Sequence, residues 1–218
     1  TRSLRDGARP IAANAVVSPA DGRISQIGKI AGDQLLQAKG HAFDLLALLA
    51  GDKTHATAFR DGLYATVYLS PRDYHRVHLP LAGTLESMTF VPGDLFSVSE
   101  ATTQLVPGLF ARNERLNLHF ETAGGPLLLS MVGALNVGSI STPWTGEIRP
   151  RSTGVVEALD ISAHSAEVQK GDLLGWFNMG STVILLLPRA ACEWDDDLEP
   201  GETVRMGEAI AKLVTADD

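Results

Sequence analysis

Apolar and polar residues alternate most cleanly at Leu116, Leu118 and Phe120, with Asn117, His119 and Glu121 between them. A period of two sends one set to each side of a strand. A turn over Ala123 to Pro126 then leads into an apolar run from Leu127, so the stretch predicts a β-hairpin. His119 falls on the polar side and is expected as a solvated strand residue, not a ligand. Further strands are predicted at Ala65 to Leu69, Gly83 to Phe90, Gly154 to Asp160 and Thr182 to Leu187. Helix is expected only in short pieces. Phe43 to Ala50 carries Leu45, Leu46, Leu48 and Leu49 and stops at Gly51, which predicts a core helix. Ser70-Pro71-Arg72-Asp73 combines an N-cap hydroxyl, a proline in the first turn and an acid at the third position, which predicts a helical turn. Near the C-terminus, Val168-Gln169-Lys170-Gly171-Asp172 is echoed by Leu198-Glu199-Pro200-Gly201-Glu202. The two segments read either as an internal repeat of strand, turn and strand or as two independent β-turns. The predicted fold is mainly β with short helices (α+β), on a barrel-sandwich or lipoyl-like hybrid β scaffold.

Composition narrows this picture. The 218 residues suit one large domain or two small ones, taken as a single domain over 1–218, and 44% hydrophobic content excludes a disordered chain. The longest apolar runs, Leu45 to Ala50 and Val183 to Leu187, are far below the roughly 20 residues of a membrane helix. The single Cys192 excludes an intrachain disulfide framework and a multi-cysteine metal site. The net charge of -8 sits mostly in the tail, because residues 191–218 hold nine acids against Arg205 and Lys212. Arg2, Arg5 and Arg9 against Asp6 make a small basic segment near the start, read as a solvated terminus or a contact to phosphate or a membrane surface. No basic stripe with interleaved aromatics appears, so nucleic acid is not an expected partner.

Three segments could carry chemistry. Asp21 lies in the Ser18-Pro19-Ala20-Asp21-Gly22 turn before an apolar strand, where Asp-Gly is by itself a turn signal. His75 and His78 are three apart in Tyr74-His75-Arg76-Val77-His78, a spacing that could begin a metal site but lacks further ligands; no metal is expected. Asn178-Met179-Gly180-Ser181-Thr182-Val183 places hydroxyls after a glycine at the edge of an apolar strand, and Val183 breaks the GxSxG hydrolase pattern. With no Cβ, Gly180 leaves its carbonyl open, so Ser181 Oγ could attack the chain itself given a base and a group to orient that base. Asp21, His78 and Ser181 could supply orienter, base and nucleophile.

The sequence resembles the phosphatidylserine decarboxylase proenzymes from Arg5 to the C-terminus. The resemblance rests on Leu35-Leu36-Gln37-Ala38-Lys39-Gly40-His41, Tyr68-Leu69-Ser70-Pro71-Arg72-Asp73-Tyr74-His75-Arg76-Val77-His78, Val91-Pro92-Gly93-Asp94-Leu95-Phe96-Ser97-Val98, Phe110-Ala111-Arg112-Asn113-Glu114-Arg115 and Val132-Gly133-Ala134. Met179 stands where the family usually has Leu before Gly-Ser-Thr, a swap of similar volume. The resemblance implies self-cleavage between Gly180 and Ser181 into a 1–180 β chain and a 181–218 α chain, with Ser181 becoming a pyruvoyl cofactor. It implies decarboxylation of phosphatidylserine to phosphatidylethanolamine, with His75 as candidate proton donor and Arg72, Arg76 and Lys39 as candidate phosphate-binding residues. It also implies a peripheral place on the cytoplasmic face of the cell membrane, aided by a segment ahead of Thr1, and leaves a homodimer open. The rival readings are a Ser-His-Asp hydrolase, a non-enzymatic lipoyl-like carrier with Lys170 as its only candidate arm, and a zinc peptidase using His41, Asp44, His75 and His78.

Overall fold

Glycines and prolines cut the chain into apolar runs, and these runs pair with one another into sheets. The computed structural model describes residues 4–5, 7–38, 40–135, 139–149, 154–162, 165–177 and 181–214. In chain order the elements are β1 (Ala15–Val17), β2 (Gly22–Lys29), β3 (Gln34–Ala38), β4 (His41–Asp44), α1 (Leu45–Leu48), α2 (Lys53–Phe59), β5 (Leu63–Leu69), β6 (Arg76–His78), β7 (Gly83–Val91), α3 (Glu100–Thr103) and α4 (Leu109–Arg112). They continue with β8 (Arg115–Thr122), β9 (Gly125–Val132), β10 (Ile140–Thr142), β11 (Gly146–Ile148), β12 (Glu157–Ala158), β13 (Glu167–Val168), β14 (Leu173–Phe177), β15 (Ser181–Leu187), β16 (Cys192–Trp194), β17 (Thr203–Val204) and β18 (Ala209–Leu213). The architecture is mainly β with a few short helices.

A nine-stranded sheet runs β12, β7, β8, β9, β15, β5, β2, β17, with β13 also on β7. All its pairings are antiparallel. β15 lies inside it, and all seven of its residues are buried. One face carries Val67, Leu69, Ser181, Val183, Met131 and Leu116, because direct cross-strand partners share a side. A second sheet, ordered β11, β10, β14, β6, covers this face: a Cβ placed on Gly175 of β14 would lie 3.1 Å from Met131 Sδ. The other face meets helices. Arg115 gives Nε–H to the Leu48 carbonyl at 2.8 Å and Nη2–H to that of Ala47 at 2.6 Å, and Asn117 Nδ2 gives to Leu48 at 3.0 Å. A three-stranded sheet, β1, β18, β16, and the β3–β4 ribbon complete the pairings.

The predicted hairpin forms as β8–β9, with Leu116, Leu118 and Phe120 opposite Met131, Leu129 and Leu127, and its turn is tighter than expected because β9 already begins at Gly125. Its polar side does not face water. Asn117 is 1% and His119 4% exposed, because α1 and α2 lie over them, and the His119 ring centroid is 3.8 Å from that of His55. The solvated reading of His119 is therefore corrected. Burial, with His55 next to it, pushes the imidazole down to about 4, so the ring is neutral near pH 7. The predicted helix from Phe43 shrinks to α1: Phe43 belongs to β4, Asp44 accepts the Ala47 N–H at 2.9 Å, and Ala50 and Gly51 turn left-handed with φ 55° and 88°. The segment 70–73 is a turn rather than a helix. Asp73 N–H bonds the Ser70 carbonyl at 2.9 Å, while Asp73 Oδ2 accepts Ser70 N–H at 2.7 Å, so both ends are satisfied within four residues and no further turn follows. The strand predicted over Gly154 to Asp160 is only β12. The two C-terminal echoes are both tight turns with a left-handed glycine, Gly171 at φ 88° and Gly201 at φ 104°, but their strands join different partners, β13 on β7 and β17 on β2.

Candidate active site

β6 lies antiparallel to β14, with His78 opposite Leu173 and Arg76 opposite Trp176. The Phe177 N–H bonds the His75 carbonyl at 3.0 Å, so the chain leaves β14 beside His75. Gly180, with the rest of 178–180, lies outside the described residues. Ser181 opens β15 opposite Leu69, on the sheet face that β14 and β6 cover. Its Oγ is fully buried and has no hydrogen-bond partner among the described residues. The hydroxyls of Thr66, Ser130 and Thr182 in the same sheet are likewise buried without a partner, so what sets Ser181 apart is its position at the start of β15 on the face turned to the sheet of His78.

His78 is 9% exposed and both its ring nitrogens are engaged. Nδ1 donates to the Gly171 carbonyl at 2.8 Å. A carbonyl only accepts, so Nδ1 carries the hydrogen and Nε2 presents a lone pair. The Tyr74 hydroxyl donates to that lone pair at 3.1 Å, and the two rings stack with centroids 5.8 Å apart. Burial is the main influence lowering the His78 pKa; Arg76 lowers it further, while the Gly171 bond, Asp21 and Asp172 act in the opposite direction. The ring is thus a neutral base. Gly171 is held on target by its turn: Asp172 N–H bonds Gln169 O at 3.0 Å, and Gly171 N–H bonds Leu79 O at 2.8 Å, next to His78.

The turn holding Asp21 is brought to β6 by the His78 N–H, which bonds the Pro19 carbonyl at 2.8 Å. Gly22 then passes so close to β5 that a Cβ would lie 2.4 Å from Tyr68 O, which fits the Asp-Gly turn signal. The Asp21 carboxylate does not bond His78. Oδ1 accepts Arg9 Nε–H at 2.9 Å and Met206 N–H at 2.9 Å, and Oδ2 pairs with Arg9 Nη2. Asp21 and His78 are thus neighbours coupled through charge, without the direct bond expected of orienter and base.

His75 is half-buried, its Nε2 is enclosed and unpartnered, and burial lowers its pKa against the raising effect of Asp73. Arg72 is exposed on the 70–73 turn; Arg76 is half-buried with an unpartnered Nε. Lys39 lies outside the described residues. A cavity of about 500 Å³, lined in part by Arg23, Gln37, Tyr68, Ser70 and Glu100, opens elsewhere: Tyr68 and Ser70 alternate with Leu69 and so point away from the face carrying Ser181. Two of the rival readings, the carrier and the zinc peptidase, lose their key groups. The Lys170 ammonium is occupied by the carbonyls of Ala12, Ala13 and Ala15, at 2.7 Å for Ala12, and is no free carrier arm. Among the described residues no three metal-ligating side chains converge. Burial pushes the Cys192 thiol up to about 12, which makes it inert. Sequence reasoning missed Tyr74, Gly171 and Arg9 as partners of these groups. Tyr74 stood inside the histidine motif, whereas a carbonyl contact from Gly171 leaves no residue-type signal.

The family described as phosphatidylserine decarboxylase matches residues 1–212. The chain is 51% identical over 216 residues to a phosphatidylserine decarboxylase proenzyme of Saccharophagus degradans, covering 98% of this chain and 76% of that one. The corresponding proenzyme of Acidovorax ebreus is 51% identical over 211 residues, covering 97% and 75%, and that of Nitrosococcus oceani 50% over 219, covering 99% and 72%. With this match running along almost its whole length, the chain belongs to the phosphatidylserine decarboxylase family.

Proposed function

We propose that the chain is the precursor of a pyruvoyl-dependent phosphatidylserine decarboxylase, which cuts itself between Gly180 and Ser181 and then converts phosphatidylserine to phosphatidylethanolamine. The observation that carries this reading is the position of Ser181, buried at the start of β15 on the face covered by the sheet of His78. In the maturation step, His78 Nε2 takes the Ser181 proton and Oγ bonds to the Gly180 carbonyl carbon. The amide nitrogen of residue 181 leaves that carbon as an amine, and an ester remains. Loss of the Ser181 Cα proton with departure of the Gly180 carboxylate opens the chain; water then replaces nitrogen, which leaves as ammonia. The β chain is 1–180 and the α chain 181–218. Asp21 stabilises the imidazolium through its charge.

A carbonyl at residue 181 takes the place of the nitrogen on Cα, and the Oγ that departs with Gly180 has no hydrogen-bond partner among the described residues, so its loss orphans none of them. Such a group supplies an electron sink that captures an amine and weakens the adjacent carbon–carboxylate bond. Around it, His75 Nε2 is enclosed with no other partner and hands a proton to the substrate carbon that loses carboxylate. Arg72 and Arg76 flank His75 in sequence and take the lipid phosphate, with Lys39 as a further cation. No helix among the described residues is long and apolar enough to cross a membrane. Peripheral contact with the cytoplasmic face of the membrane and a homodimer are part of the same reading. The barrel-sandwich likeness of the fold is supported by its twin tight turns alone.

The test is intact mass under denaturing conditions. Fragments of 180 and 38 residues, the smaller lacking an amino terminus, are expected. A single chain with unmodified Ser181 in a preparation that decarboxylates phosphatidylserine overturns the reading.

A further inference from the structure

In the uncleaved chain, no hydrogen bond among the described residues joins any two of the three groups needed for self-cleavage. His78 Nε2 is engaged by the Tyr74 hydroxyl, both Asp21 oxygens are engaged by Arg9 with Met206 N–H, and Ser181 Oγ is unpartnered. The His78 tautomer makes the first contact decisive. Because Nδ1–H is committed to Gly171, Nε2 is the only nitrogen able to receive a proton, and its one lone pair already holds the Tyr74 hydrogen. The second contact acts on the anion. Arg9 reaches Asp21 with both arms of its guanidinium, and its side chain is only 22% exposed, so water competes weakly.

Resting on the reading above, we infer that Tyr74 and Arg9 are positioning residues that hold self-cleavage back: Tyr74 covers the nitrogen of the base and Arg9 keeps Asp21 from it. Cleavage then requires the tyrosine hydroxyl to leave Nε2 before the Ser181 proton can arrive, and it is favoured when the Arg9 fork loosens, because the Asp21 charge is then less neutralised and acts more strongly on the imidazolium. The charged groups acting on the ring are Arg76 from its own strand, Asp21 from the turn before β2 and Asp172 from the turn before β14. None of them substitutes for a hydrogen on Nε2.

The experiment follows the full chain after a pulse of cell-free synthesis and measures how fast the 180- and 38-residue fragments appear across a pH series. Tyr74→Phe keeps the stacked ring and removes only the oxygen. It is expected to cut roughly two- to tenfold faster than wild type, the worth of one net hydrogen bond. Its acidic limb should move to higher pH, because a donor to the neutral ring opposes protonation and its removal releases that opposition. Arg9→Gln should also cut faster, with Arg9→Lys between it and wild type, since an ammonium lacks the two-armed fit. Thermal melting checks folding, and Tyr74→Phe decides the matter should Arg9→Gln not fold. Tyr74→Phe cutting at the wild-type rate or more slowly, with an unmoved pH limb, overturns the inference while leaving the decarboxylase reading in place. A wild-type chain that never cuts defeats the decarboxylase reading itself.

Discussion

Two pairs of histidines sit on opposite sides of the large sheet. His55 of α2 and His119 of β8 meet on the helical side, with ring centroids 3.8 Å apart; His75 and His78 belong to the strand and loop that cover the other side. Burial does not separate them, since His119 is 4% and His78 9% exposed. Hydrogen bonding separates His119 from His78, although His55 Nδ1 bonds Asp52 at 2.6 Å and His75 Nε2 has no partner. His119 Nδ1 is enclosed with no partner and the ring is kept neutral by packing, whereas each nitrogen of His78 has a partner from a different segment. A packed imidazole becomes a base only when one nitrogen is fixed as donor so that the other is left as acceptor.

The largest effect that tests this contrast is loss of maturation. Ser181→Ala, His78→Ala and Asp21→Asn should accumulate uncut chain, while His119→Gln should yield both fragments; normal cutting by His78→Ala would remove His78 as the base. Next comes turnover. His75→Ala should cut itself yet lose about 10²- to 10⁴-fold in decarboxylation, the usual contribution of a proton donor. Near wild-type decarboxylation by the processed variant rejects the donor role, and an uncut variant moves His75 into maturation.

Stability against pH should separate the pairs from the other direction. The folded His119 ring takes a proton only near 4, whereas the unfolded ring does so near 6.5. Its contribution is therefore intact above 6.5 and is lost as pH falls towards 4, by about 3 kcal/mol at most. Urea titrations near neutrality and near pH 4 should show a shallower acid loss in His119→Gln; an unchanged slope places the acid sensitivity elsewhere. The smallest effect should come from Lys170→Met. Releasing the carbonyls of Ala12 and Ala15 should cost about 1 kcal/mol and slow cutting slightly, because Lys170 adjoins the Gly171 carbonyl that holds His78. A melting temperature and cutting rate equal to wild type would show that the turn stands without it.

The hairpin at Leu116 to Leu127 was legible because alternation reports which residues share a side. It does not report what covers each side, and so His119 was misplaced: the elements that bury it, α1 and α2, are one and two turns long. α2 itself went unread, although Asp52 caps it by accepting Thr54 N–H at 3.0 Å and His55 N–H at 3.1 Å. In the site, side chains that form a motif could be read, but their partners could not. Gly171 contributes a carbonyl, and Arg9 arrives from a segment that reads as a solvated terminus. Such contacts depend on backbone path, which residue type does not encode.

Because Ser181 begins a strand with neighbours on both edges, opening the chain there changes the molecularity of folding without changing the fold. β15 remains bonded to β5 and β9, and β18 to β1, so the fragments stay together while folded. Once melted, they are separate solutes that must find each other at their bulk concentration, with the effective concentration of a single chain gone. Heating the precursor should thus be reversible under conditions where the mature form, after the same excursion, is lost for good.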